Sequence, residues 1–200
     1  GASIRKSIIL RRLMLERAAA AAQAEAIARH DGLTGLANRR RFVDAADRER
    51  VSATEDSAVL MKDSDRFKPV NDLYGHAAGN AVLCAVAERL QQLVPPGGLA
   101  ARLGGDEFAM LVPLRYESEG LRRLAQTVIA RIAEPVTWNQ NDLKVGATVG
   151  VAAVSADHGD ADAVLHAADL AMYQGKKDGR GKFRFFRSAM DAELRARARM

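Results

Sequence analysis

Two short acidic segments hold the residues best suited to chemistry. Asp63-Ser64-Asp65 ends an apolar run, Ala58-Val59-Leu60-Met61, that reads as a buried strand. Carboxylates at such a strand end are costly unless water solvates them or they hold a cation. Asp106-Glu107 follows Gly104-Gly105, between the apolar runs Leu99–Leu103 and Phe108–Val112. Two glycines there supply the positive-φ freedom that a hairpin turn needs. If the hairpin pairs beside the first strand, the two acidic segments can face each other. Hard oxygen ligands from two segments suit Mg2+, which usually also takes substrate phosphate oxygens. Taken singly, either acidic pair reads first as solvated turn carboxylates. Lys68 and the turn Lys176-Lys177-Asp178-Gly179-Arg180 offer cations to a polyphosphate. A basic turn after a helix also suits the helix dipole without any ligand. His76 is open between a structural hydrogen bond and a ligand contact. Cys84, among Val82, Leu83 and Val86, is expected to be a buried, inert thiol.

The elements that must position these residues alternate between helix and strand. Residues 1–30 contain no Pro, and Ile4, Ile8, Leu15, Ala18, Ala22 and Ala26 share one helical stripe, interrupted near Arg11. Leu10, Leu13 and Met14 lie on other faces. This long helix is expected to pack against a second copy or an absent partner; the alternative is a helix laid on its own domain. Asp31 can cap a turn, and Asn38 to Phe42 opens a second helix. Ser57–Asp63 reads as a strand and Val70–Val94 as mostly helical, stopped by Pro95-Pro96-Gly97-Gly98. Leu121–Ile132 and Asp162–Lys176 read as helices, Leu143–Val154 and Phe183–Phe186 as strands. The order implies an α/β sandwich with a mixed sheet. The expected divisions are a helix over 1–30, one domain over 31–187 and a helical connector over 188–200.

Composition bounds the rest. Two hundred residues suffice for one α/β domain with an appendage, and 48% hydrophobic residues exclude a disordered chain. Aromatics are only 5%, so the core must rest on Ala, Val, Leu and Ile. One cysteine excludes a disulfide framework and a Cys-based zinc site within the chain. A net charge of +5 suits an anionic ligand such as a nucleotide. The arginines do not interleave with aromatics in one tract, so a nucleic-acid partner is not expected. No apolar run approaches the ~20 residues of a membrane span. The opening Gly-Ala-Ser, without an initiator Met, leads us to expect a piece of a longer protein.

Four motifs stand in register. Asp31-Gly-Leu-Thr-Gly-Leu-Ala-Asn-Arg-Arg40 opens the domain, and Asp63-Ser-Asp-Arg-Phe-Lys-Pro-Val-Asn-Asp-Leu-Tyr-Gly-His76 follows. Arg102-Leu-Gly-Gly-Asp-Glu-Phe108 is the third, and Ala168-Asp-Leu-Ala-Met-Tyr173 with Lys176 to Gly181 the last. In this order and spacing they closely resemble the GGDEF domain of diguanylate cyclases, from about Asp31 to Phe186. The resemblance implies a central, mostly antiparallel mixed sheet wrapped by helices, similar to nucleotidyl cyclases and polymerase palms. It implies condensation of two GTP into cyclic di-GMP by two domains meeting face to face, with Mg2+ or Mn2+. By position, Asp63, the Ser64 carbonyl and Asp106 would hold metal. Asp106 would deprotonate the attacking hydroxyl, with Glu107 as its acidic neighbour. Gly104 and Gly105 would admit the nucleotide. Phe67, Lys68, Lys176 and Arg180 would line the triphosphate, and Asn71 and Asn80, beside His76, would read guanine.

The chain departs from the family pattern at several places. Position 80 is normally Asp and here is Asn80. Position 62 is usually apolar and here is Lys62, and position 181 is usually Asn and here is Gly181. The family's inhibitory product site is an Arg-x-x-Asp; Pro95 and Gly98 stand in those places. The long first helix resembles signalling helices that couple upstream sensors to such domains. The tail from Met190 to Met200 resembles connectors into EAL phosphodiesterase domains. A cytoplasmic domain is expected, whether or not the parent is membrane-anchored. Two readings follow: a diguanylate cyclase, or a weak or inactive GTP-binding module regulating an adjoining EAL domain.

Overall fold

The computed structural model describes residues 2–52, 57–155 and 159–190. In chain order the elements are α1 (Ala2–Arg29), β1 (Ala37–Asn38), α2 (Arg39–Val51), β2 (Ala58–Asp65), α3 (Phe67–Tyr74) and α4 (His76–Leu93). They continue with β3 (Leu99–Gly104), β4 (Glu107–Val112), α5 (Glu119–Ile132), β5 (Val136–Trp138), β6 (Asn141–Leu143), β7 (Gly146–Ala153), α6 (Ala161–Lys177) and β8 (Phe183–Phe185).

Six strands form one sheet in the order β1-β3-β4-β2-β7-β8. The three inner pairings are antiparallel and the two outer ones, β1 with β3 and β7 with β8, are parallel. The apolar β2 is the central strand, because helices cover both faces of the sheet and each side chain along it finds a core. On one face Leu60, Phe108, Met110, Val149 and Val151 meet Val82, Val86, Leu90, Leu121, Val128 and Ile132 of α4 and α5. On the other, Val59, Met61, Ala109, Leu111 and Ala152 meet Phe42 and Ala46 of α2 and Val164, Leu165, Ala168 and Met172 of α6. Caps set the helix starts. Asn38, Ser118 and Asp160 accept hydrogen bonds from Arg41, Leu121 and Ala163 backbone N–H groups at the heads of α2, α5 and α6.

The small residues of α6 allow a close approach to β7. A Cβ on Gly150 would lie 1.9 Å from the Ala168 carbonyl oxygen and 2.5 Å from the Met172 nitrogen. Backbone on both sides cannot yield as a side chain would. Gly150→Ala is therefore expected to cost about 3 kcal/mol or more, read as a lower denaturation midpoint with an unchanged m-value.

The structure departs from the sequence-based expectations in three places. The run Val70–Val94 divides into α3 and α4 at Gly75, whose φ of 84° no helix accommodates. The run Leu143–Val154 is not one strand. Leu143 closes a separate β5–β6 hairpin, and β7 begins only at Gly146. That hairpin turns on Asn139 and Gln140, both at positive φ without a glycine to signal it. Cys84 is exposed rather than buried, on a face of α4 where its Sγ donates to the Leu33 carbonyl at 3.5 Å. Of the two readings of α1, the alternative of a helix laid on its own domain does not hold. Ile4, Ile8 and Leu15 are exposed, and so are Ile9, Leu10, Leu13 and Met14 on its other sides. Its C-terminal end is held to α2 by Arg29 and Asp44, 3.2 Å apart. No helix among the described residues is long and apolar enough to cross a membrane. The connector expected over 188–200 lies, from residue 191 onward, outside the described residues.

Candidate active site at the end of the central strand

The pairing of β2 with β4 brings the two acidic segments together. Asp63 opposite Glu107 is the last pair of that ladder, whereas β2 continues beside β7 to Asp65 opposite Gly146. The Gly104–Asp106 turn therefore hangs over the end of β2. Its backbone requires glycine: φ is 152° at Gly104 and 51° at Gly105. Arg102 braces the turn from behind. Its Nε donates to the Gly105 carbonyl at 2.8 Å and its Nη1 to both Asp31 oxygens at 3.2 Å. Asp31 in turn accepts from the Thr34 amide and hydroxyl. Burial works against the Asp31 carboxylate, but the Thr34 hydrogen bonds and the Arg102 guanidinium outweigh it and hold its pKa below the ordinary value.

At the turn the Asp106 carboxyl stands beside that of Asp63. Burial first, and then that contact and the negative charge of Asp63, push Asp106 from its ordinary 3.8 up to about 6. Glu107 is raised too, by burial and then by Asp63 and Asp169. The Lys176 ammonium donates to Asp63 Oδ2. Below the pair, Lys62 is 2% exposed; its Nζ donates to Ser64 Oγ and lies 5.0 Å from the centroid of the Phe108 ring. Burial pushes Lys62 down to about 8, and Asp106, Asp63 and Asp65 keep it from falling further.

A cavity of about 920 Å³ opens above this strand end. Asp63, Ser64, Phe67, Lys68, Asp106 and Arg180 of the sequence-predicted set line it together. Lys176 joins through Asp63. Gly104 and Gly105 border a smaller hollow of about 330 Å³ with Asp31 and Arg39. Glu107 faces the other side of Asp63, toward Asp169 and Tyr173. Asn71, His76 and Asn80 do not line the main cavity; they stand on α3 and α4. A Cβ on Gly79 would come within 1.9 Å of Asn71 Oδ1 and 3.3 Å of the Phe67 ring, so that glycine lets α3 rest on α4 and keeps Asn71 beside Phe67.

Sequence reasoning missed three residues of this site. Asp65 is buried and accepts from Thr148 Oγ1 at 2.8 Å and from the Gly181 amide at 3.4 Å, while Arg180 Nε lies 3.5 Å from its other oxygen. Asp65 thus anchors the basic turn, and Thr148, across the β2–β7 pairing, completes the anchor. Lys144 adds a further cation to the cavity wall. Only the period of two within Asp63-Ser64-Asp65 hinted that both aspartates share a face.

The donor set fits a hard divalent cation. Two carboxyls are forced together, and the Ser64 backbone lies just past the last β2–β4 pair. Among the described residues no cluster of three His, Cys, Asp or Glu side chains forms. A cation here would take the two carboxyls and the Ser64 carbonyl from the protein and leave positions for phosphate oxygens and water, as Mg2+ does. At the site of the family's inhibitory Asp, a Cβ on Gly98 would lie 2.8 Å from the Leu111 carbonyl oxygen, so no side chain is accommodated there without a backbone shift.

The family model described as diguanylate cyclase, GGDEF domain, matches residues 28–182. The diguanylate cyclase TpbB of Pseudomonas aeruginosa is 41% identical over 179 residues, 86% of this chain and 40% of that protein. The bifunctional diguanylate cyclase and cyclic di-GMP phosphodiesterase MucR of the same species is 37% identical over 83% of this chain and 24% of its own length. The chain thus spans between about a quarter and two fifths of the length of these two relatives. Among solved structures, the isolated GGDEF domain of TpbB covers 83% of this chain, and 99% of that structure is covered, at a TM-score of 0.73 and 38% identity. The coiled coil and GGDEF domain of DgcB from Caulobacter crescentus, in complex with c-di-GMP, covers 92%, and 99% of it is covered, at a TM-score of 0.81 and 27% identity. The braced glycine turn, the carboxyl pair it closes over β2 and these matches lead to one assignment: the chain belongs to the GGDEF domain family of diguanylate cyclases.

Proposed function

We propose that this domain condenses two GTP into cyclic di-GMP with release of pyrophosphate, as a dimer and with Mg2+ or Mn2+. The observation that carries the reading is the Asp63–Asp106 pair at the floor of a cavity ringed by Lys68, Lys144 and Arg180. Lys68, Lys176 and Arg180 hold the triphosphate by charge-assisted hydrogen bonds. Asp106, ionised above about pH 6, takes the proton from the 3′-hydroxyl. Asp63, Asp106 and the Ser64 carbonyl would hold the cation, which lowers the pKa of the attacking oxygen and stabilises charge on the leaving pyrophosphate. One domain holds one GTP. A second copy must therefore present the other α-phosphate, and pairing supplies the proximity. Incubation with GTP and Mg2+ tests this: one cyclic di-GMP should appear for every two pyrophosphates, with specific activity rising with protein concentration until dimers saturate.

Asn80 favours a second reading, a GTP-binding module that regulates an adjoining phosphodiesterase domain. Guanine presents two donors on its Watson–Crick edge, and a carboxylate accepts from both where an amide accepts one. Asn80→Asp is expected to raise GTP affinity about 5–30-fold, the effect of ~1–2 kcal/mol, and to sharpen discrimination against ATP. Parallel GTP and ATP titrations of the two proteins measure it. GTP binding without product in the unmodified chain, with product restored by Asn80→Asp, would establish the regulatory reading.

A further inference from the structure

A lysine in the interior directly beneath an acidic site calls for a reason, since an apolar side chain of that length would fill the same space at less cost. Lys62 stands immediately before Asp63 on β2 and opposite Phe108 on β4, two residues after Asp106. Its side chain is turned to the face of α3 and α4, away from Lys176, which approaches Asp63 from the α6 side. Only Ser64 Oγ receives its hydrogen bond, and the Phe108 ring packs against its ammonium. Lys62 does not line the cavity, so it is not placed to grip a ligand. Two ammonium groups thus serve this strand end, Lys176 from the hollow it shares with Glu107 and Asp169, and Lys62 from within the core.

We propose that Lys62 is a built-in counter-ion beneath the Asp63–Asp106 pair, which weakens the site's hold on a free divalent cation so that the cation enters together with nucleotide phosphate. The proposal rests on the metal-site reading above. Its physical basis is the buried charge: a cation placed between the two carboxyls is repelled by the Lys62 ammonium, which lies in the interior away from bulk water. Phosphate oxygens restore the negative charge that Lys62 offsets, so metal and nucleotide binding become mutually dependent. Such coupling is reciprocal.

Mn2+ alone, followed by its electron paramagnetic resonance signal at pH 7 without nucleotide, tests this on the whole chain. Lys62→Met removes the charge and keeps the volume. Lys62→Gln removes the charge and keeps a donor for Ser64. Lys62→Arg keeps the charge. The Met and Gln variants are expected to bind Mn2+ on the order of tenfold more tightly than the unmodified chain, and Lys62→Arg no more tightly. The cation-induced rise in Tm should be larger in the two neutral variants as well. Equal Mn2+ affinity in all four proteins, abolished in each by an added Asp63→Asn, would overturn the counter-ion role while leaving the metal site standing. Mn2+ binding that is absent, or indifferent to Asp63→Asn, would overturn both. Tight binding in the Met variant but not in Gln would transfer the effect to the Ser64 hydrogen bond and also refute the proposal.

Discussion

Asp106→Asn is expected to reduce cyclic di-GMP formation by about 10²–10⁴-fold, the usual worth of a positioned general base, and at the same time to make the folded chain more stable at neutral pH. The second effect follows from the proton. In the folded chain Asp106 titrates at about 6, against its ordinary 3.8, because it is half-buried against Asp63. The folded state therefore binds this proton more tightly than the unfolded state does. Stability from this group is complete below about pH 4 and is lost as the pH rises to about 6. Asparagine cannot ionise and escapes that loss. Allowing for the part of the group that water screens, the gain above pH 6 is about 1 kcal/mol, or ~2–4 °C in Tm. Melting curves in EDTA at pH 4 and pH 7 check it: the gap between variant and unmodified chain should open with rising pH. A gap that narrows as pH rises would show that the two carboxyls do not face each other in solution.

Asp65→Ala should act on binding and folding together. The carboxylate holds the Thr148 hydroxyl and the Gly181 amide and attracts Arg180. Removing it leaves the buried Thr148 hydroxyl without its acceptor, while the Gly181 amide keeps Thr148 Oγ1 at 3.2 Å, at about 1–3 kcal/mol for the unsatisfied hydroxyl. Tm should fall by roughly 2–12 °C on that account. The turn carrying Arg180 loses its tether, so GTP affinity should fall by about tenfold or more even though Asp65 itself is not placed among the metal ligands. Asp65→Asn keeps an acceptor oxygen for Thr148 and should recover most of the stability but less of the affinity, because the attraction to Arg180 is lost. Calorimetric GTP titration beside thermal melts separates the two contributions.

The sequence by itself determined the strand that carries Asp63, the hairpin that carries Asp106, and the family, because these rest on local signals. The apolar run of β2, the Gly104-Gly105 pair and the four motifs in register are all readable within a few residues of themselves. It also marked Lys62, Asn80 and Gly98 as departures. Only the tertiary structure decided what those departures touch. Lys62 has no sequence neighbour that could reveal whether its ammonium reaches solvent or Ser64, since that depends on Phe108, 46 positions away and paired across β4. The exposure of Cys84 depends on which face of α4 meets the sheet, and Val82, Val86 and Leu90 took that face instead. The β5–β6 hairpin turns on Asn139 and Gln140 without a glycine, so its only signal is the pairing itself. Asp31 and Arg102 stand in separate motifs 71 residues apart, and their ion pair beneath the glycine turn exists only once β1 has paired with β3. Spacing along the chain reports which side chains share a strand or helix face. The charges that set the chemistry of Asp63 and Asp106 come from β2 itself, β4 and α6, and only packing brings β4 and α6 to the end of β2.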